Sequence, residues 1–265
     1  MSLAPDGFLA ALGGGDEPSL ASTTLGRLRP EQLQYLFDLW GGAPQPPGAL
    51  TLEAVSPATR SYAWFVLSVG AGGLRLTDAG YLPTAVVKEA YDELGWTAQH
   101  AVSSYREAQR VRITALRSAA QRLGLIDVQG RRLVARPEAL AAAGDPLGLW
   151  ELLVARVPAC WSSKIERDVT VLLLAGAAVG SGHRRDLVKD AAVWAVEAIG
   201  WRSSRSGTVP TARQVSGWGR HIKDVLHSMD ALTWRGWHDP EDIKPHGTLF
   251  ARAVLALPAS RCGQL

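Results

Sequence analysis

The chain has 265 residues, 47% of them hydrophobic and 20% charged, with a net charge of +3. That length accommodates one large domain or two ordinary ones, and the balance excludes a broadly disordered chain, a collagen-like repeat, a coiled coil and a disulfide-built scaffold. The charge is uneven: −5 over residues 1–104, +6 over 105–136, −2 over 137–201, +5 over 202–223 and −1 over 224–265. Two basic islands in an otherwise acidic chain are the pattern expected of elements that face an anionic polymer, with solvated helix faces as the plainer reading.

Residues 1–55 read as an N-terminal helical extension that ends in a Pro/Gly-rich linker (Gly41 to Gly48). Pro30 suits a first helical position, and Leu33, Leu36, Phe37 and Trp40 follow at helical spacing as one apolar stripe. A first unit is expected over 56–145, opening with a buried helix, Thr59 to Val69, that Gly70 and the glycines after it terminate. A second unit is expected over 146–265, because a weak internal repeat runs at an offset of about 105. Leu82, Ala90, Leu94, Gly95 and Trp96 align with Leu187, Ala195, Ile199, Gly200 and Trp201, so each half has a helix closing on an apolar residue, Gly and Trp.

In the first copy a helix over Ala108 to Leu123 places Ile113, Leu116, Ala120 and Leu123 on one inward face. Arg106, Arg110, Arg117 and Gln121 fall in a neighbouring strip that would form a basic edge. Gly124 stops the helix, and Leu125 to Val128, Gln129-Gly130, and Arg131 to Val134 read as a β-hairpin turning on glycine. The stretch Ile113 to Ile126, closing in Leu-Gly-Leu-Ile and followed by the Arg131-Arg132-Leu133-Val134 strand, resembles the recognition helix and wing of winged helix-turn-helix proteins. Upstream, Leu74-Arg75-Leu76-Thr77-Asp78-Ala79-Gly80-Tyr81-Leu82-Pro83 resembles a motif found in a large group of poorly characterised actinobacterial proteins. Together the resemblance spans roughly residues 60–150. It implies a mainly α fold of tandem winged-helix-like units, three-helix bundles each with a hairpin wing, and DNA binding; it brings no catalytic residues.

On that reading Arg106, Arg110, Arg117 and Gln121 would meet bases or phosphates of duplex DNA, and Arg131 and Arg132 the backbone. The second copy would add Arg213, Arg220 and Lys223 from a helix over Thr211 to Met229. Its wing is expected as strands Leu232 to Trp237 and Thr248 to Val254 around an acidic loop, Asp239 to Asp242, whose charge opposes groove insertion. The alternative is a winged-helix scaffold that holds a protein partner without touching DNA.

Enzyme chemistry finds little footing. Gly176 to Arg185 is glycine-rich but lacks the GxxxxGK[ST] order, so it reads as a helix stop and loop. The six histidines include no HExxH, there is no GxSxG elbow, and neither Cys160 nor Cys262 belongs to a CxxC or Cys/His cluster. No cofactor, metal or catalytic residue is therefore expected, and the sparse cysteines fit a reducing, cytoplasmic setting. No Lys or Arg precedes Arg27, and the longest apolar run, Val169 to Gly180, is well short of the ~20 residues that span a bilayer, so neither an export signal nor a membrane span is expected. The ten tryptophans are expected in packing rather than base stacking, with Trp96 and Trp201 sealing helix ends. Trp234 and Trp237, three apart on the expected strand, would face opposite sides.

Overall fold

Helices dominate the computed structural model, which describes residues 17–42, 49–97, 104–180, 185–203, 207–232 and 243–261. In chain order the elements are α1 (Leu20–Leu25), α2 (Pro30–Trp40), α3 (Leu52–Val69), β1 (Leu74–Arg75), α4 (Thr84–Glu93), α5 (Val111–Arg122), β2 (Ile126–Gln129), β3 (Arg132–Ala135), α6 (Pro137–Ala142), α7 (Pro146–Arg156), α8 (Lys164–Val179), α9 (Arg185–Ala198), α10 (Ala212–Trp218), α11 (Arg220–Ser228) and α12 (Pro245–Leu255). They form two compact units: one of Leu50–Arg156 with Lys223–Asp230, the other of the described residues within Met1–Ala49, Val157–Ile222 and Ala231–Leu265. The boundaries thus fall at Leu50 and Val157, against the expected 56 and 146. The reason is packing: α7 lies along α3, while α1 packs on α8 and α2 on α9.

In the 50–156 unit, α3 is longer than its apolar run predicts, starting at Leu52 with the Thr51 hydroxyl accepting from the Ala54 amide at 3.2 Å. Pro57 sits inside it on the exposed side, where the carbonyl that loses its partner, that of Glu53, meets water. Val55, Thr59, Tyr62, Phe65, Val66 and Val69 form its buried stripe at helical spacing. The three strands make an antiparallel sheet in the order β1-β3-β2, with Leu74 and Val128 both opposite Leu133, and Ile126 opposite Ala135. Along β3 the buried Leu133 and Ala135 alternate with the exposed Arg132 and half-buried Val134, the period-2 pattern of a sheet with one face covered. The segment 223–230 completes this core: the Ser61 hydroxyl donates to the Ser228 carbonyl, Ser118 and Asp224 meet at 3.5 Å, and Arg112 reaches Asp230 at 3.6 Å.

The other unit is built around α8, which the Ser163 hydroxyl caps and which buries a nearly continuous run from Asp168 to Leu172. Asp168 is fully buried and fully satisfied. It accepts from Thr24 Oγ1 at 2.9 Å, Arg27 Nη1 at 2.5 Å, Trp201 Nε1 at 2.9 Å and the Arg167 guanidinium at 3.3 Å, tying α1, α8 and the end of α9 together. α12 runs along α8, with Arg252 Nε donating to the Ala178 carbonyl at 2.9 Å.

Two expectations for this half are corrected. Thr248 to Val254 is not a wing strand but the body of α12: Gly247, Phe250, Ala251, Val254 and Leu255 bury one face at helical spacing, and Pro245 starts the helix. The single helix expected over Thr211 to Met229 is broken into α10 and α11 at Gly219. There the backbone lies so close to α8 that a Cβ would come within 2.2 Å of Leu173 Cδ1. The expected strand Leu232 to Trp237 and its acidic loop lie outside the described residues beyond Leu232, which forms an isolated bridge with Ile243.

The repeated helix ending is the same turn in both halves. Trp96 N donates to the Tyr91 carbonyl at 2.9 Å across Gly95 (φ +71°), and Trp201 N to the Val196 carbonyl at 3.1 Å across Gly200 (φ +93°). Trp40, Trp96, Trp150 and Trp161 are buried, whereas Trp201, expected to seal its helix end as Trp96 does, is half-buried and donates its Nε1 to Asp168.

Candidate nucleic-acid interface

The basic helix α5 keeps its expected inward face, with Ile113, Leu116, Ala120 and Leu123 all fully buried. It stops as predicted: Leu125 N donates to the Ala120 carbonyl at 2.9 Å across Gly124 (φ +64°). Its start differs. Glu107–Gln109 is a separate 3-10 turn and Arg110 is extended (φ −124°, ψ 90°), so the helix begins only at Val111. Arg106 and Arg110 therefore do not share a helical strip with Arg117 and Gln121, which corrects the expected edge.

The expected contacts divide into occupied and open ones. Arg110 donates through Nε to the Ser104 carbonyl, and its guanidinium lies 5.7 Å over the Tyr91 ring. Burial raises the pKa of that tyrosine, against the opposing pull of Arg110 and Arg112. Arg117 is largely buried: its Nη1 bonds Glu107 Oε2 at 3.0 Å, Oε1 at 3.2 Å and the Gly80 carbonyl at 2.9 Å. Arg131 pairs with Asp78 at 2.6 Å on the exposed surface, and Arg132 Nη1 donates to the carbonyls of Gly72 and Gly73 at 2.9 and 3.1 Å. Arg106 is exposed and Gln121 half-buried. Arg213 and Arg220 are exposed on α10 and α11 in the other unit, whereas Lys223 is half-buried and belongs with the 50–156 unit, so these three form no single site within one unit.

The loop of residues 77–82 organises the region. The Thr77 hydroxyl accepts from Tyr81 N at 3.0 Å, Thr77 N donates to the Tyr81 carbonyl at 2.8 Å, and Gly80 takes a φ of +79° that the turn requires. Leu82 is buried, and its amide donates to Glu107 Oε2 at 2.5 Å. The Thr-x-x-Gly-Tyr-Leu spacing is thus a closed turn anchored to a buried carboxylate. Helix α5 reaches this loop through Arg117 and the β2–β3 hairpin reaches it through Arg131, so helix and hairpin are tied to one element.

Three residues escape the reading of the sequence. Glu107 is buried and carries the Arg117 pair, and Arg122 is exposed at the end of α5. Arg75 on β1 stands directly opposite Arg132 on β3 in the antiparallel register, both exposed. Two like charges facing each other across strands oppose pairing, so the arrangement presents a doubly cationic patch. An open depression of about 710 Å³ lies beside α5, lined by Gly80, Tyr81, Glu107, Arg117, Gln121 and Arg122 among others.

No protein-family model, curated protein or solved structure matches the chain. Among the described residues no helix is long and apolar enough to cross a membrane, and no three His, Cys, Asp or Glu residues are grouped to hold a metal ion.

Proposed function

We propose that the 50–156 unit is a winged helix that binds duplex DNA, in a non-enzymatic, cytoplasmic regulatory protein. The element order α3-β1-α4-α5-β2-β3 and the strand order β1-β3-β2 support the fold, with α5 as the helix offered to the major groove and the β2–β3 hairpin as the wing. One observation carries the function: the exposed Arg75 and Arg132 are held opposite each other in the sheet, a like-charge pair that a phosphate would relieve. The proposal covers this unit alone, since the expected strand Thr248 to Val254 of a second wing is helical. The exposed arginines of the unit, Arg75, Arg106, Arg122, Arg131 and Arg132, are the phosphate contacts of this reading.

The test is fluorescence anisotropy of a labelled duplex of about 25 base pairs with two paired variants of the full chain. Arg131→Ala/Arg132→Ala should weaken binding about tenfold or more, and Arg213→Ala/Arg220→Ala much less. The reverse order would place the interface in the other unit. Absence of binding at low salt would remove the DNA reading and leave the scaffold for a protein partner, which the inward pairing of Arg110 and Arg117 favours.

A further inference from the structure

The depression beside α5 is more than a gap at the helix edge, because its hydrogen-bonding capacity is unbalanced. A guanidinium has five N–H donors. Arg117 makes all of its bonds, to Glu107 and to Gly80, through Nη1 alone, so Nε and Nη2 have no hydrogen-bond partner among the described residues and are open to solvent. The acceptors nearest Arg117 are engaged with other groups, and two of the lining side chains are cationic. Glu107 takes the Leu82 amide and Arg117, and the Gly80 carbonyl takes Arg117. Thr114 Oγ1 is bonded to the backbone carbonyls of Glu107 and Arg110 at 3.0 and 2.9 Å, and Ser118 is turned to Asp224. Arg122, exposed and without an ion pair among the described residues, and the Gln121 amide add further donors on the same lining.

We infer that this depression is a phosphate site, with Arg117 as its fixed wall and Arg122 as its adjustable arm. The buried Glu107 acts as a positioning residue: it holds one edge of the Arg117 guanidinium, so that the remaining N–H groups are presented without the entropy of ordering a free arginine. An acceptor-rich, anionic group matches the two guanidinium groups, and charge-assisted bonds to it are stronger than neutral ones. The inference rests on the DNA reading and deepens it: the phosphate is a backbone phosphodiester of the bound duplex, beside the helix proposed for the groove. A phosphorylated small molecule offers the same chemistry, and the experiment separates the two sources.

The experiment follows the arginine Nε–H signals of the 15N-labelled full chain, with the Arg117 signal identified by its loss in Arg117→Lys or, should that variant fold poorly, by its displacement in Glu107→Gln. The protein is titrated separately with inorganic phosphate and with the duplex of about 25 base pairs. A saturable shift of the Arg117 signal with both probes is expected. A shift with inorganic phosphate but not with duplex keeps the site and transfers it to a free phosphorylated ligand, overturning the DNA source. Duplex binding by anisotropy with no Arg117 shift would overturn the site and leave the DNA-binding proposal standing, and no shift with either probe would overturn the site as well. Arg122→Ala alters only an exposed side chain and should weaken inorganic phosphate binding about tenfold; unchanged affinity would contradict the inference.

Discussion

Arg75→Gln is expected to make the free protein slightly more stable and the DNA complex weaker. Arg75 and Arg132 are register partners on β1 and β3, and both are exposed. Two unit charges about 7 Å apart in water repel by about 0.6 kcal/mol, and directly opposed like charges in a sheet cost about 0.2–1 kcal/mol. Glutamine keeps most of the length and removes the charge, so urea unfolding at low salt should show a gain of about 0.5 kcal/mol that fades with added salt. On the proposed function the same variant would lose one phosphate contact, so duplex affinity should fall severalfold and the slope of log K against log salt should shrink by about 0.9. The opposite signs are the diagnostic feature, because a residue kept for folding loses stability when replaced. A stability loss of 1 kcal/mol or more with unchanged duplex affinity would refute the reasoning.

Other outcomes follow from single contacts. Arg117→Ala leaves the Glu107 side chain, 3% exposed, without its cation, and should destabilise the 50–156 unit by about 3–5 kcal/mol, whereas the exposed Arg122→Ala should stay within about 0.5 kcal/mol; similar urea midpoints for the two would contradict the buried pair. Gly124→Ala forces a side chain into φ +64° with only ordinary contacts around it, for a cost of about 1–2 kcal/mol. Gly73→Ala should cost more in thermal denaturation, because its Cβ would also come within 2.8 Å of the Leu133 carbonyl in the sheet. The Arg136 guanidinium bonds Asp127 at 2.8 and 3.0 Å and holds its carboxyl below the usual carboxylate range. A lowered native pKa stabilises fully above the unfolded value, near pH 4, and the contribution disappears as the pH falls through the native value. Asp127→Asn should therefore lower stability at pH 7 by a small amount suited to an exposed pair and leave it unchanged at pH 2.

What the sequence made legible was local. The inward face of α5, its glycine stop, the β2–β3 hairpin and the repeated Gly-Trp turn each depend on residues within about ten positions of one another, where spacing and φ preference decide the outcome. What it hid depends on distant partners. Ser228 meets Ser61 across 167 residues, so no pattern in α11 announces that 223–230 belongs with the 50–156 unit. Glu107 reads as a polar surface residue until Leu82 and Arg117 are found to satisfy it. The cross-strand pair of Arg75 and Arg132 depends on a register that β1, two residues long, does not reveal by itself. Thr248 to Val254 has the aromatic and branched residues of a strand, yet its buried positions recur every three to four residues, and that period prevails.

On the proposed function, α5 and the β2–β3 hairpin form one cationic face for a nucleic-acid backbone. The most direct test is the affinity of the full chain for the labelled duplex across a series of salt concentrations. Contacts from Arg75, Arg106, Arg122, Arg131 and Arg132 predict micromolar binding at low salt and a log–log slope of about −4 to −5. A slope near zero, or no binding at the lowest salt, would contradict the account.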